Sequence, residues 1–345
     1  MYDLIIIGGG PAGLSAALSA KRHSLKYLVI EKGVIANTVY NYPIARRLFS
    51  SPDEVELEPH ALPLDRKPTR EQTLAHYIDV ATREQLYINT SEQVGRISAI
   101  EGGFSVKTNK GHYGTRTLLM AVGGFGRQRK LNVPGESESR VSYRFSEAHP
   151  YAFKNVLIIG GGNSAAEAAI FLVESGAKVT LSLRRASLDA EVDNDSVGAL
   201  NHRASAKIKP WVREPLDRAA SEGKLNVITS SEILDILPDS ALLRLRQEAR
   251  YLSEEIIEVP CDHIFALIGA DPDTHLLEQA GAEIAPDGRP VYDPITHETT
   301  VPGLYVAGHL TRELHMKKAI EDGRQVVDYI ASSVSDSSNR VLLAT

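Results

Sequence analysis

Residues 3–13 read DLIIIGGGPAG, and residues 155–165 read NVLIIGGGNSA. In both stretches a short run of apolar, mostly β-branched residues leads into three glycines, and a pattern of small helix-forming residues follows. A buried strand, a tight glycine turn and a closely packed helix are the parts of a nucleotide-binding βαβ unit. The chain therefore contains two such units, whose first glycines, Gly8 and Gly160, lie 152 residues apart.

The segments after each glycine turn also repeat. Each unit continues into a second strand, predicted at 27–31 and 178–185, and then into a set of short strands. Residues 290–333 do not extend the second unit and are typical of the missing end of the first. We therefore predict an α/β fold of two Rossmann-like, three-layer ββα domains. The first domain comprises 1–125 and 263–333, the second is inserted at 126–262, and a tail follows at 334–345.

Composition limits the class of protein. The 345 residues are 43% hydrophobic and 24% charged, which is typical of a globular chain and not of a disordered one. No apolar run approaches the roughly 20 residues that span a bilayer, and the N-terminus begins directly with a strand pattern. A net charge of −6 argues against a nucleic-acid partner. We expect a cytoplasmic protein with neither a membrane nor a nucleic acid as its partner.

The glycines of each turn have different physical roles. Gly8 permits the tight turn, Gly10 lets the backbone approach a pyrophosphate, and Gly13 lets the helix lie close to the strand. The helix N-terminus then offers unpaired N–H groups and a partial positive charge to phosphates. The alternative is a glycine cluster in an ordinary α/β protein. Two complete strand–turn–helix–strand patterns favour nucleotide binding.

The residues that end the two second strands differ chemically. Glu31 lies 23 residues after Gly8, where a carboxylate accepts hydrogen bonds from ribose hydroxyls and repels a 2′-phosphate. Arg184 lies 24 residues after Gly160, next to Arg185, and a guanidinium pair suits a 2′-phosphate. The first site is thus predicted to take FAD or NAD, and the second NADPH. A solvated strand end is the alternative for the arginine pair.

The C-terminal segment favours FAD in the first site. Residues 300–308 indicate a turn, a short strand and a terminal glycine, and a helix is predicted from about 316 to 334. The N-terminus of that helix can face the N1–C2=O edge of a flavin, where negative charge gathers on reduction. Lys317 and Lys318 either contact the flavin or belong to a solvated first turn.

These features resemble the thioredoxin-reductase-like pyridine nucleotide flavoproteins. Four shorter runs, at 40–43, 67–71, 147–151 and 208–211, are similar to the bacillithiol disulfide reductase family. The resemblance extends to about residue 333 and implies an FAD domain, an inserted NADPH domain and a homo-oligomer.

The resemblance also implies cofactor-binding residues. For FAD these are Gly8, Gly10, Ala12, Gly13, Glu31, Val94, Gly123 and Gly308, with Tyr42, Phe49 and Ser51 near the isoalloxazine ring. Beside these positions, Pro11, Lys32, His309 and Lys317 are further candidates for FAD binding. For NADPH they are Gly160, Gly162, Asn163, Ser164, Ala165, Arg184 and Arg185.

The departures from the family pattern concern thiols and one acid. Thioredoxin reductases carry a Cys-x-x-Cys pair before the second glycine motif, but residues 141–146 contain no cysteine here. Ala12 stands where bacillithiol-type relatives often have a cysteine, and His309 where many relatives have an aspartate. Cys261 is the only cysteine, so an internal dithiol relay is excluded. Electrons taken from NADPH must therefore leave from the flavin itself.

Three functions are compatible with this pattern. The first is an FAD-dependent NADPH oxidoreductase that passes electrons directly to an external acceptor, such as a low-molecular-weight disulfide. The second is a ferredoxin- or flavodoxin-NADP reductase, for which 46–47 and 127–130 are candidate basic docking runs. The third is a non-enzymatic NADPH-binding flavoprotein that senses redox state. The sequence indicates neither a metal site nor a catalytic side chain, and it predicts a mobile loop at 186–207.

Overall fold

A computed structural model describes residues 1–63, 65–189, 207–246, 255–311 and 315–342, with side chains in the last helix described as far as residue 333. The chain divides into two compact units. The first comprises Met1–Arg127 and Asp271–Thr345, and the second is Gln128–Ala270. The predicted loop at 186–207 lies mostly outside the described residues.

The elements follow in chain order. The first segment of unit 1 contains β1 (Tyr2–Ile7), α1 (Pro11–Arg22), β2 (Tyr27–Ile30), α2 (Asn37–Tyr40), α3 (Arg70–Arg83), β3 (Ile88–Asn89), β4 (Val94–Ile100), β5 (Gly103–Thr108), β6 (His112–Met120) and β7 (Arg127–Gln128). Unit 2 contains β8 (Val141–Ser142), β9 (Asn155–Ile159), α4 (Asn163–Glu174), β10 (Lys178–Ser182), α5 (Pro210–Ser221), β11 (Leu225–Ile228), β12 (Ser231–Ile236), β13 (Ser240–Leu245), β14 (Glu255–Pro260), β15 (His263–Ala266) and β16 (Ala270–Asp271). The return segment contains α6 (His275–Gln279), β17 (Leu304–Val306) and α7 (Met316–Leu342).

Unit 1 is built on a sheet in the order β3-β2-β1-β6-β5-β4, with β17 added on β6. Strands β3, β2, β1, β6 and β17 pair in parallel, whereas β4, β5 and β6 form an antiparallel meander. Successive residues of β1 point to opposite faces: Leu4 and Ile6 join one apolar cluster, and Ile5 and Ile7 join the other. Because residues 4–7 of this strand are buried on both faces, they are all apolar.

Unit 2 repeats this plan on a smaller scale. Its parallel sheet has the order β11-β10-β9-β15-β8, and β12, β13 and β14 form a separate antiparallel sheet. The prediction of two Rossmann-like domains is therefore confirmed.

Two predicted boundaries need correction. Strand β15 pairs with β9 in the sheet of unit 2, so residues 263–270 belong to that unit and not to the first. Helix α7 continues to Leu342, whereas the sequence pattern predicted its end near 334 and a tail at 334–345. Neither glycine nor proline interrupts the chain between Arg324 and Leu342, so no residue there ends the helix.

Helix α7 packs unusually closely on α1. A Cβ atom placed on Gly323 would lie 2.1 Å from the carbonyl oxygen of Ala12, so only glycine allows this approach. Ser15 and Ser19 of α1 add hydrogen bonds to α7, with Ser15 Oγ donating to the Ile320 carbonyl at 2.7 Å. The contact holds α7 beside the first glycine turn.

Substitution of Gly323→Ala is expected to destabilise the protein by about 1–3 kcal/mol, because the new methyl group meets backbone that cannot rotate away. Urea unfolding followed by circular dichroism measures the difference. The matched control is Gly114→Ala on β6, where the added methyl group comes no closer than 3.9 Å to the flexible Met1 side chain. Equal stability of the two variants would contradict the close-packing argument.

Candidate functional site

The first glycine turn connects β1 to α1 in a conformation that few residues adopt. Gly8 has φ +111°, and a Cβ there would lie 2.4 Å from the Ala121 carbonyl oxygen. A Cβ on Gly13 would lie 1.9 Å from the Gly8 carbonyl oxygen. The two glycines thus allow helix, strand and neighbouring loop to meet, as expected from their residue type and spacing.

The side of this turn at the start of α1 is open. Among the described residues no side chain caps α1, whose N-cap is Gly10 and whose first residue is Pro11. A Cβ on Gly10 would have no described atom within 4 Å. An uncapped helix end needs partners for its N–H groups, and it carries a partial positive charge. This geometry fits the pyrophosphate of a dinucleotide.

Glu31 lies beside the same turn. Its side chain is only 6% exposed, and each carboxylate oxygen accepts one backbone N–H at 2.7 Å, from Gly9 and from Gly33. A carboxylate has about four acceptor positions, so two remain for hydroxyl donors. The rigid placement of this acid fits the ribose of an adenine nucleotide. Lys32, the next residue, is exposed.

Three further predicted residues adjoin this site in different ways. The Val94 side chain is buried in the core of unit 1, so only its backbone is available to a ligand. Gly123, shortly after β6, has φ +75° and open space where a Cβ would stand. Gly308 has φ +71°, and its position lies close to Ala12 of α1 and Ala319 of α7. Gly308 therefore lies where its own loop, α1 and α7 meet.

The second glycine turn repeats the first in unit 2. Gly160 has φ +146°, and a Cβ there would lie 2.4 Å from the Leu267 carbonyl oxygen. Gly162 has open space and is the N-cap of α4, for which the described part of the chain supplies no side-chain cap. Asn163 begins α4, and its Oδ1 accepts the Lys209 N–H at 2.8 Å. Ser164 and Ala165 complete the first turn of this helix.

The two turns differ at the residue that follows the second strand. A Cβ on Gly9 would meet Glu31, whereas a Cβ on Gly161 would meet the Arg185 guanidinium at 3.0 Å and the Leu183 Cβ at 3.4 Å. Strand pairing agrees, since Ile7 lies opposite Ile30 in unit 1 and Ile159 opposite Ser182 in unit 2. The structural counterpart of Glu31 is therefore Leu183, one residue before the arginine pair that the sequence spacing matched with it. Unit 2 has no acid there to repel a 2′-phosphate.

The two arginines are placed differently. Arg184 is exposed. Arg185 lies across the turn, and its guanidinium donates to the Gly161 carbonyl. Burial lowers the pKa of Arg185, although a guanidinium remains charged at neutral pH. Arg184 is thus the more exposed of the two, whereas Arg185 supports the turn.

The residues expected near an isoalloxazine ring form an aromatic cluster. The Arg46 guanidinium lies over the rings of Tyr42 and Phe49, at 4.6 and 4.8 Å from their centroids. Ser51 begins a short 3₁₀ turn and its N–H donates to Glu54 at 2.8 Å. His309 packs edge-on against Phe125, with ring centroids 6.0 Å apart.

Both lysines in the first turn of α7 line one shallow pocket, together with the acids Glu54 and Glu321. Lys317 is exposed. Lys318 pairs with Asp322 at 3.0 Å, and this aspartate is completely buried. Asp322 was not predicted from the sequence, where only its spacing of four residues from Lys318 could have indicated it. The exposed position of Lys317 gives no support to a flavin contact.

The single thiol lies in a buried environment typical of a structural cysteine. Cys261 is 1% exposed, and Arg140 Nη1 lies 3.4 Å from its Sγ. Burial raises the pKa of the Cys261 thiol, so the reactive thiolate is disfavoured. The stretch 141–146 packs Phe145 into the core of unit 2 against Phe265, so it carries a buried aromatic ring in a region where thioredoxin reductases carry a cysteine pair.

Two other kinds of site are absent from the described ranges. No group of three or more His, Cys, Asp or Glu side chains in those ranges could hold a metal ion. No helix in the described part of the chain is long and apolar enough to cross a membrane.

The sequence matches the pyridine nucleotide-disulphide oxidoreductase family over residues 5–308. It is 33% identical to the bacilliredoxin reductase Bdr of Bacillus subtilis (strain 168), covering 97% of this chain and 98% of the relative. It is 25% identical to a ferredoxin–NADP reductase of Ignicoccus hospitalis, covering 90% of both chains.

Two solved structures of reductases superpose on this chain over nearly its whole length. The bacillithiol disulfide reductase Bdr (YpdA) from Staphylococcus aureus superposes with a TM-score of 0.84 at 31% identity, covering 97% of this chain and 98% of that one. The thioredoxin reductase of T. acidophilum has a TM-score of 0.74 at 22% identity, covering 96% and 98% of the two chains, and so shares the fold.

Arg184→Ala is expected to weaken binding of NADP⁺ by about 10- to 100-fold, the loss of one charge-assisted contact, while leaving NAD⁺ binding nearly unchanged. Arg185→Ala is expected to weaken both nucleotides, because its guanidinium holds the Gly161 carbonyl that shapes the shared turn. Calorimetric titration of both variants with both nucleotides provides the comparison. A parallel loss of NADP⁺ and NAD⁺ affinity in Arg184→Ala would contradict the assignment.

Proposed function

This chain belongs to the pyridine nucleotide-disulphide oxidoreductase family, and from that membership we propose that it reduces a low-molecular-weight disulfide of the bacillithiol type. The protein is an FAD-dependent oxidoreductase that takes its electrons from NADPH. The balanced reaction consumes one NADPH, one proton and one disulfide, and it yields NADP⁺ and two thiols.

The similarity to bacillithiol-type reductases carries the proposal, and the state of Cys261 determines the route by which electrons can reach the disulfide. The chain has one cysteine, its thiol is buried, and burial raises the pKa of that thiol. Disulfide reductases that work through protein thiols need a thiolate that can attack the substrate and a second thiol to resolve the product. This chain can supply neither, so the disulfide must receive its electrons from the bound cofactors.

The chain's own residues would hold the cofactors and position them. The uncapped start of α1 and the open side of Gly10 would receive the FAD pyrophosphate, and Glu31 the ribose. The uncapped start of α4 and the exposed Arg184 would receive NADPH. When bound, FAD supplies a two-electron carrier between NADPH and the disulfide.

The comparisons support the disulfide over other acceptors. The relatives named for bacilliredoxin or bacillithiol disulfide reduction match over 97% of this chain at 31–33% identity. Ferredoxin–NADP reductases match at 25% identity in Ignicoccus hospitalis and 28% in Streptococcus gordonii. A ferredoxin reductase is the second candidate, because its relatives match 90% and 89% of this chain and the reaction needs no protein dithiol.

An acceptor comparison on the FAD-loaded protein separates the two candidates. Anaerobic NADPH oxidation is followed at 340 nm with bacillithiol disulfide, with glutathione disulfide and with ferredoxin as acceptors. We expect bacillithiol disulfide to give the highest kcat/KM. Turnover with ferredoxin, and with neither of the two disulfides, would contradict the proposal.

Cys261→Ser is expected to retain the disulfide-dependent NADPH oxidation of the wild type, since the buried thiol takes no part in the chemistry. Removal of a catalytic nucleophile costs orders of magnitude in kcat. Thermal unfolding of the same sample serves as the control for folding. A well-folded variant without disulfide reductase activity would show that Cys261 is catalytic.

A further inference from the structure

A row of basic side chains crosses the antiparallel meander of unit 1. Arg96 of β4 lies directly opposite Lys107 of β5, and Lys107 lies directly opposite His112 of β6. Directly opposed residues of antiparallel strands project from the same face, with Cβ atoms about 4.5–5.5 Å apart. All three residues are exposed, so they form one basic strip on the surface.

The two cations of the strip differ from their neighbour Arg116 in their ion pairing. Within the described ranges no ion pair involves Arg96 or Lys107, although Arg116 on the same face of β6 pairs with Asp3 at 2.6 Å. The carboxylate of Glu92 is buried and accepts from Thr108 Oγ1 at 2.5 Å and from Asn89 Nδ2 at 2.9 Å. Like charges directly opposite each other destabilise a strand pair. The described strands therefore present these two like charges without a carboxylate paired to either.

The strand register opens a pocket at this pair. The pairing of β4 with β5 shifts between Val94 and Arg96, which leaves Gly95 as the extra residue of a bulge. A Cβ on Gly95 would come no closer than 4.0 Å to another residue, so tight packing does not require glycine here. The missing side chain instead leaves room beside the two cations. The pocket has a volume of about 410 Å³ and is lined by Gln93, Gly95, Arg96, Lys107, Thr108 and Asn109.

Hydrogen-bonding groups surround the same position. Asn109 Oδ1 accepts the Gln93 N–H at 2.9 Å, which fixes the side chain with its amide nitrogen as the donor end. On the other side of Lys107, the ring of His112 lies 2.5 Å from Ser105 Oγ. The pocket thus places two exposed cations beside neutral polar groups, and none of its six lining residues is a carboxylate.

We propose that this pocket binds a phosphate-type oxyanion, either free phosphate or a small phosphate monoester. Its two negative charges match the Arg96–Lys107 pair, and its oxygens accept charge-assisted hydrogen bonds from both side chains. A bound oxyanion would replace the repulsion between the cations with two attractions. The pocket is open to solvent, so the organic part of a small ester can extend beyond it.

The test uses protein loaded with FAD and saturated with NADP⁺, so that the two dinucleotide sites are filled. Thermal unfolding is measured with increasing inorganic phosphate and with potassium chloride of equal ionic strength. We expect phosphate, and not chloride, to raise Tm in a saturable manner. A parallel series with glycerol 3-phosphate compares the ester with the free ion: tighter binding of the ester identifies an ester site, and tighter binding of the ion a free-phosphate site.

Substitutions locate the effect. Arg96→Gln and Lys107→Gln are each expected to weaken phosphate binding about tenfold or more, and to raise Tm slightly without phosphate because the repulsion is removed. Lys107→Arg keeps the charge and is expected to retain binding. Arg116→Gln, on the same face but paired with Asp3, is the matched control and is expected to bind like the wild type. Equal responses to phosphate in the double Arg96→Gln/Lys107→Gln variant and the wild type, or no response beyond that to chloride, would overturn the proposal.

Discussion

At each glycine turn, the start of a helix contacts the end of a strand. This contact determines where the other parts of the molecule can lie. At Gly13 even a methyl group would come within 1.9 Å of the Gly8 carbonyl oxygen. In unit 2 the corresponding helix position is Ala165, and the close approach is at Gly160, where a Cβ would lie 2.4 Å from the Leu267 carbonyl oxygen. Because each helix is held this tightly, its uncapped first turn opens at a fixed point beside the sheet.

The same strand–turn–helix arrangement occurs in both units, and a few side chains give the two turns different chemistry. Gly9 faces a fixed carboxylate, while Gly161 faces the apolar Leu183 and is held by Arg185. A carboxylate selects ribose hydroxyls, and its absence next to an exposed guanidinium admits a 2′-phosphate. The same backbone therefore presents one turn that suits FAD and another that suits NADPH.

The sequence predicted what depends on local patterns. Glycine spacing and apolar strands revealed both βαβ units, and the cysteine count alone excluded an internal dithiol. It could not place β15, because a short apolar strand fits either parallel sheet and only tertiary pairing with β9 assigns it. It could not separate Arg184 from Arg185, since adjacent residues in sequence differ in direction only once the strand end is built. Asp322 was missed because a buried charge has no signature in the chain apart from its partner, Lys318.

The single thiol of this protein is enclosed by Arg140 and the core of unit 2. We therefore infer that bound flavin is its only redox centre. An anaerobic reductive titration of the purified FAD-loaded protein tests it most directly, with dithionite added stepwise while flavin absorbance is followed at 450 nm. Uptake of two electrons per bound FAD, with bleaching from the first addition, is the expected result. A requirement for more than two electrons per FAD would reveal a second redox centre and contradict this conclusion.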